Sequence, residues 1–378
     1  MRAILPFLLI LMLPGLTACD RSTQAPEPAT IRVDEAMGGM PDPGFARAFE
    51  PREFLFPQDH GPHPDFATEW WYLTGNLFTA DGRRFGYQFT LFRVGLHPDE
   101  AAGDSDWRSN QLYMGHLAVS DIAGARHHSA ERFARAAAGL AGAQTGPFAV
   151  WLGPWRLHSE RDFFPLSLEA QHEEFGLDLR LDAGKPMVLQ GERGLSRKSA
   201  TPGNASYYYS YTRLLTSGQV RIGETSFEVQ GDSWMDREWS SSALDVDQAG
   251  WDWFALQLQD GRELMFYQLR THEGAMHPFS RGVLVQQDGS VRPLLPEQVR
   301  LTPLDVWQAE DATRYPVDWR LQVPDLGLDL EVSAVLDDQR MDHTVQYWEG
   351  AVDVSGSHAG VGYLELSGYA GSGGGIPR

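Results

Sequence analysis

Three aromatic-rich strings hold the side chains whose types and spacing could do chemistry. In the first, Glu69-Trp70-Trp71-Tyr72, a carboxylate immediately precedes three aromatic residues. Side chains of an extended chain alternate between faces, so Trp70 and Tyr72 share one side and Glu69 and Trp71 the other. The second, residues 207–213 (YYYSYTR), groups Tyr207, Tyr209, Tyr211 and Arg213 on one face, the phenols offering apolar bodies with polar tips. The third, residues 234–239 (WMDREW), puts Trp234, Asp236 and Glu238 on one face. A carboxyl pressed against indoles resists ionisation, stays protonated near neutral pH and can give a proton to a substrate. The competing reading pairs Asp236 or Glu238 with Arg237 or Arg213 as a plain ion pair and leaves the aromatics as core. On the first reading Asp236 is the candidate catalytic acid. Glu69, Trp70, Trp71, Tyr72, Tyr207, Tyr209, Tyr211, Arg213, Trp234, Glu238 and Trp239 are then candidate ligand-binding residues.

Other chemistries find little support. The chain has no Gly-x-Ser-x-Gly elbow, no phosphate loop ending in Gly-Lys-Ser/Thr and no His-Glu-x-x-His zinc helix. No cofactor is expected. His60 and His63 have ligand-like spacing, but zinc needs three or four convergent donors and the intervening Gly61-Pro62 reads as a turn. His127-His128 reads as a solvated pair on a loop.

The elements that must position these strings are strands. Residues 70–93 (WWYLTGNLFTADGRRFGYQFTLFR) alternate apolar and polar around Asp81-Gly82, a strong hairpin signal. Residues 251–270 (WDWFALQLQDGRELMFYQLR) repeat the pattern around Asp260-Gly261, and residues 231–236 (GDSWMD) are echoed by 360–365 (GVGYLE). Echoes roughly 180 residues apart indicate duplicated domains rather than a solenoid. Short strand-like runs fill the space between them, so the chain reads as all-β, a pair of antiparallel barrels. A barrel of eight strands is wide enough to hold one small ligand inside. The single helix-friendly stretch is 129–143 (SAERFARAAAGLAGA), rich in Ala with Glu131 and Arg135 one turn apart; it predicts one short helical insertion.

Thirty-one basic residues against 51 acidic ones give a net charge of −20 over 378 residues. Such a chain repels polyanions, which excludes nucleic-acid binding. Residues 1–19 join a positive start at Arg2 to an apolar run and end in Leu16-Thr17-Ala18-Cys19, an export signal too short to span a bilayer. Its ending resembles the lipobox of bacterial lipoproteins, which makes Cys19, the chain's one cysteine, the lipidation site and anchors the protein to a membrane. Asp20 after it suggests the periplasmic face of the inner membrane. Residues 20–44 read as a flexible tether, 45–240 as the N-terminal barrel and 241–378 as the C-terminal barrel.

The strings 56–63 (FPQDHGPH), 69–75 (EWWYLTG), 208–214 (YYSYTRL), 234–239 (WMDREW), 348–350 (WEG) and 362–369 (GYLELSGY) recur in this order in the carotenoid 1,2-hydratase/AttH-like family, which the chain resembles across nearly its whole mature length. The resemblance implies tandem lipocalin-like barrels. Hydratases of that group add water across the terminal double bond of an acyclic carotenoid, whereas AttH-like lipoproteins accompany ABC exporters. Three functions follow as expectations. The first is a tethered module that binds an apolar molecule, a lipid or isoprenoid, with an ABC transporter permease as partner. The second is a cofactor-free hydratase in which Asp236 protonates the alkene and Trp234 and Trp239 stabilise the cation. The third is an interaction protein whose barrels are filled by their own side chains.

Overall fold

The computed structural model describes residues 43–99, 105, 107–242 and 244–369. The expected signal segment, Cys19, Asp20 and nearly all of the tether lie outside the described residues. The first half opens with four long strands, β1 (Thr68–Phe78), β2 (Arg84–Gly95), β3 (Gln111–Asp121) and β4 (Arg126–Arg135). Shorter strands follow: β5 (Ala141–Gln144), β6 (Ala149–Leu152), β7 (Trp155–His158), β8 (Leu166–Gln171), β9 (Phe175–Ala183), β10 (Val188–Leu189) and β11 (Leu195–Arg197). Two long ones, β12 (Ala205–Ile222) and β13 (Thr225–Ser240), complete an antiparallel sheet of order β4-β3-β2-β1-β13-β12-β9-β8-β7-β6-β5. The second half contributes β14 (Gln248–Leu258), β15 (Glu263–Thr271), β16 (Arg281–Val285), β17 (Val291–Leu294) and β18 (Arg300–Gln308). It continues with β19 (Arg314–Val323), β20 (Leu328–Ala334), β21 (Arg340–Asp342), β22 (Gln346–Gly356) and β23 (Gly360–Leu366), in the order β17-β16-β15-β14-β23-β22-β20-β19-β18. Each sheet curls around its own core into a near-barrel.

The two hairpins and their echoes occupy equivalent places. Gly82 and Gly261 both turn with positive φ, 88° and 80°, where a Cβ would strain the chain. In the first sheet β13 lies against β1, with Asp236 opposite Tyr72. In the second, β23 lies against β14, with Glu365 opposite Trp253.

Burial separates the strands into two kinds. Outer strands such as β8 alternate buried and exposed residues, as a sheet with one wet face must. By contrast β1 and β15 are buried on both faces: one fills its own barrel, the other meets the second barrel. The barrel interiors are packed solid, by Trp71, Phe89 and Trp155 among others in the first and by Phe254, Trp319 and Trp348 in the second. A further apolar cluster, with Tyr72, Tyr208 and Trp234 from one barrel and Trp253, Tyr267 and Tyr363 from the other, glues the two together.

The expected helix over 129–143 is absent. Residues up to Arg135 continue β4 in register with β3, and residues from Ala141 form β5. Alanine favours helices by roughly half a kilocalorie per residue over strand formers, which a full ladder of sheet hydrogen bonds and buried neighbours overrides. His127 and His128 accordingly lie on β4 rather than on a solvated loop: His128 is buried, and His127 hydrogen-bonds Ser120 at 2.9 Å.

Candidate functional site

Among the described residues, the pocket that gathers the candidate acids lies between the barrels. The outer faces of β1, β2, β12 and β13 meet those of β14, β15, β22 and β23 around a partly open pocket of about 150 Å³, a volume sufficient for a benzene-sized group. Its walls are mostly aromatic, including Trp70, Tyr72, Phe92, Trp251 and Trp253, with half-buried Lys198 and Leu244 at the rim.

Four carboxyls line this apolar space: Asp236, Glu238, Glu349 and Glu365. Asp236 is 4 % exposed and makes no ion pair among the described residues. Its Oδ1 accepts the Trp234 indole N–H at 2.7 Å and the Ser210 hydroxyl at 2.5 Å, while Oδ2 accepts the Tyr208 hydroxyl. Burial raises its pKa to about 7, against the pull of these three donors and with the charge of Glu238 adding to the rise. Glu238 pairs instead with Lys198 at 3.0 Å and accepts the Ser206 hydroxyl. Burial lowers the Lys198 ammonium, but Glu238, with Tyr267 and Asp236, more than offsets this and leaves the lysine above its ordinary pKa. On the opposite wall Glu349 and Glu365 are direct cross-strand neighbours. Burial, together with Glu365, pushes Glu349 well above the usual carboxylate range, although the Tyr72 hydroxyl donates to it. Glu365 rises to about 7 through burial, against the Trp251 indole N–H at 3.0 Å and with the charges of Asp236 and Glu238 adding to the rise.

The ion-pair alternative thus divides. Arg237 points to the other face of β13, and Arg213 binds Glu263 at 2.7 Å and Asp232, so neither reaches Asp236. The alternation expected for 207–213 fails at its end, because a bulge between Tyr211 and Leu214 turns Arg213 away from the three tyrosines toward the second barrel.

Apart from Arg213 and Trp234, the other candidates sit on the inner face, away from the pocket. Glu69 is fully buried between Arg93 and Arg237, with the His63 imidazole 3.3 Å away. Burial opposes its ionisation, yet the two guanidiniums hold its carboxyl well below the usual range. Trp71 lies under Arg237 at 4.0 Å from ring to guanidinium carbon, and Trp239 stacks on His63 at 3.8 Å. Tyr207, Tyr209 and Trp239 form an apolar cluster, with Tyr211 packed against it. Tyr209 hydrogen-bonds His60 at 2.7 Å, and His60 stacks on Phe163 at 3.5 Å. Burial and the neighbouring Arg237 lower the His60 pKa to about 3. These residues clamp the segment before β1 onto the barrel mouth. Among the described residues no group of three or more His, Cys, Asp or Glu side chains is placed to hold a metal ion.

Of the candidates, then, Trp70, Tyr72, Asp236 and Glu238 reach the pocket, with Trp234 directly behind its wall. Glu69, Trp71, Tyr207, Tyr209, Tyr211, Arg213 and Trp239 do not line it. The pocket also uses Tyr208, Lys198, Trp251, Trp253, Glu349 and Glu365, which residue-by-residue reading passed over. A signal existed for some of them. The internal repeat matches Glu365 to Asp236, and alternation along β12 sets Tyr208 on the face opposite Tyr207 and Tyr209. Nothing local marks Lys198.

Two packed lipocalin-like barrels with an acid-lined pocket at their junction define the class of protein. The AttH-like family model matches residues 47–369, and the chain belongs to that family. A putative AttH from Nitrosomonas europaea is similar over 86 % of this chain and all of that one, at 34 % identity and a TM-score of 0.76. Kievitone hydratase from Nectria haematococca shares the fold, with 14 % identity, coverage of 86 % of this chain and 97 % of that one, and a TM-score of 0.66. So does CghA with Sch210972, at 14 % identity, 90 % and 99 % coverage, and a TM-score of 0.53. No protein of curated function matches the chain.

Proposed function

We propose that the pocket between the barrels takes an apolar, unsaturated small molecule of the isoprenoid kind and that Asp236 protonates its double bond, so that water adds across it. The observation that carries this reading is Asp236 itself: a carboxyl with a pKa of about 7 in an aromatic wall, held in place by Tyr208, Ser210 and Trp234. An acid poised near the working pH is half loaded and still strong enough to give its proton. With Oδ1 taken by two donors, the proton resides on Oδ2. In the reaction that O–H bond breaks and a C–H bond forms from the alkene π pair, leaving a carbocation. The faces of Trp70 and Trp253 and the new Asp236 carboxylate stabilise the cation. Water then forms the C–O bond and gives up one proton, so one water is consumed per alkene. The resemblance to carotenoid 1,2-hydratases points in the same direction.

The lipobox at Cys19 favours a second reading: a carrier tethered on the periplasmic face of the inner membrane, which holds the same kind of ligand for an ABC transporter permease. The third expectation, an interaction protein with filled barrels, has its premise in the packed interiors but does not account for the pocket between them.

One experiment separates the two readings. Purified protein and its Asp236→Asn variant are mixed with an acyclic isoprenoid alkene in ¹⁸O-labelled water, with native mass spectrometry reporting binding. The hydratase reading expects ¹⁸O in the product of the native protein and a loss of roughly 10²–10⁴-fold in the variant, which still binds. Equal labelling by both proteins removes Asp236 from the chemistry. Stoichiometric binding with no labelling by either leaves the carrier.

A further inference from the structure

The proposed reaction uses Asp236 and leaves unexplained the carboxyls on the facing wall. Glu349 and Glu365 stand directly opposite each other on β22 and β23, both line the pocket, and neither has an ion-pair partner among the described residues. Two adjacent carboxyls in a poorly solvated site cannot both ionise freely and titrate as a pair. A chain of hydrogen bonds that starts beside Glu349 crosses from one barrel to the other. Tyr347 lines the pocket beside Glu349, two residues away on the same face of β22; its hydroxyl lies 2.7 Å from His116 Nδ1, and His116 Nε2 lies 3.1 Å from Glu131 Oε1. His116 is fully buried, whereas the Glu131 side chain keeps contact with solvent, at 10 % exposure.

The geometry points to Glu349 and Glu365 as a second proton-handling site of the pocket, across from Asp236, which exchanges its proton with solvent through Tyr347, His116 and Glu131. The transfer balances. With the proton on Glu349, the Tyr347 oxygen beside that carboxyl is its acceptor, Tyr347 donates to His116 Nδ1, and His116 Nε2–H donates to Glu131. Moving each proton one place along leaves Glu349 ionised, His116 in its other tautomer and the proton on Glu131. Glu131 is a weak base and spills that proton to water: its pKa is about 2, since hydrogen bonds from His116 and Thr344 outweigh the effect of burial. In hydration the pair would accept the proton released by the attacking water and pass it outward. Tyr72, Asp236 and Glu238 face the pair from the first barrel, with Lys198 beyond Glu238, and Tyr347, Tyr363 and Trp251 surround it in the second.

The purpose assigned here rests on the hydratase reading, but the test does not, because it uses protein without substrate. Infrared spectra show the carbonyl stretch of protonated carboxyls, and rapid mixing into D₂O times its isotope shift. Glu349→Gln and Glu365→Gln identify the contribution of the pair. Tyr347→Phe and Glu131→Gln each interrupt the relay while keeping shape. The relay expects exchange of the Glu349/Glu365 band to slow tenfold or more in both. A network that merely staples the barrels would loosen when cut, so unchanged or faster exchange in both variants overturns the proposal. Failure of ¹⁸O labelling with slowed exchange would sink the hydratase reading alone.

Discussion

The two faces of β13 meet the same kind of group in opposite states. On the inner face its Arg237 joins Arg93 in holding buried Glu69 ionised. On the outer face, one residue away, Asp236 is buried just as deeply with hydroxyl and indole donors but no cation, and its pKa rises to about 7. Burial alone pushes both acids upward. The difference is what surrounds them: two guanidiniums overcome the desolvation penalty, whereas three neutral donors reduce it without cancelling it. One face holds a permanent charge beside the segment that precedes β1, the other a carboxyl that titrates near neutral pH.

Breaking the clamp gives the largest expected effect. Glu69→Gln leaves two arginines buried without their carboxylate and should cost about 3–5 kcal/mol in chemical denaturation. The native pair has a pH signature too. Because Glu69 titrates well below its ordinary value of 4.5, its contribution is complete above that pH and is lost as the pH falls through the depressed pKa.

Asp236→Asn should act with the opposite sign. The native carboxyl costs nothing below its ordinary pKa of 3.8; the cost grows as pH rises toward 7 and is complete above. The asparagine keeps an oxygen for Trp234 and Ser210, so the variant should be more stable than the native protein at alkaline pH, by on the order of 2–4 kcal/mol, and near parity at acid pH. Denaturation at both ends of that range checks it; a variant less stable at alkaline pH would mean that Asp236 is ionised by an unrecognised partner. The smallest effect is that of Tyr208→Phe, which removes one of the three donors. It should cost about 1 kcal/mol and move the Asp236 titration upward, read from the same carbonyl band.

Much of the architecture was legible in the chain itself. Period-two alternation and the two Asp-Gly turns identify hairpins because side-chain direction in a strand and φ at a tight turn are local properties. The same locality placed Trp234, Asp236 and Glu238 on one face, and the echo between residues 231–236 and 360–365 reported two equivalent sheets. The helix expected over 129–143 failed because a local preference competed there with sheet pairing, which the window cannot see. The location of the pocket was likewise invisible. Which face of β1 and β13 looks into a barrel and which meets a neighbour depends on how two distant halves dock, and only docking sets Glu349 and Glu365 across from Asp236. So the sequence determined the strands, their duplication and the pairing of residues by face. Tertiary structure alone decided which carboxyls meet a cation and which meet each other in the pocket, because that depends on contacts between residues far apart in the chain, Arg237 with Glu69 and Tyr72 with Glu349 among them.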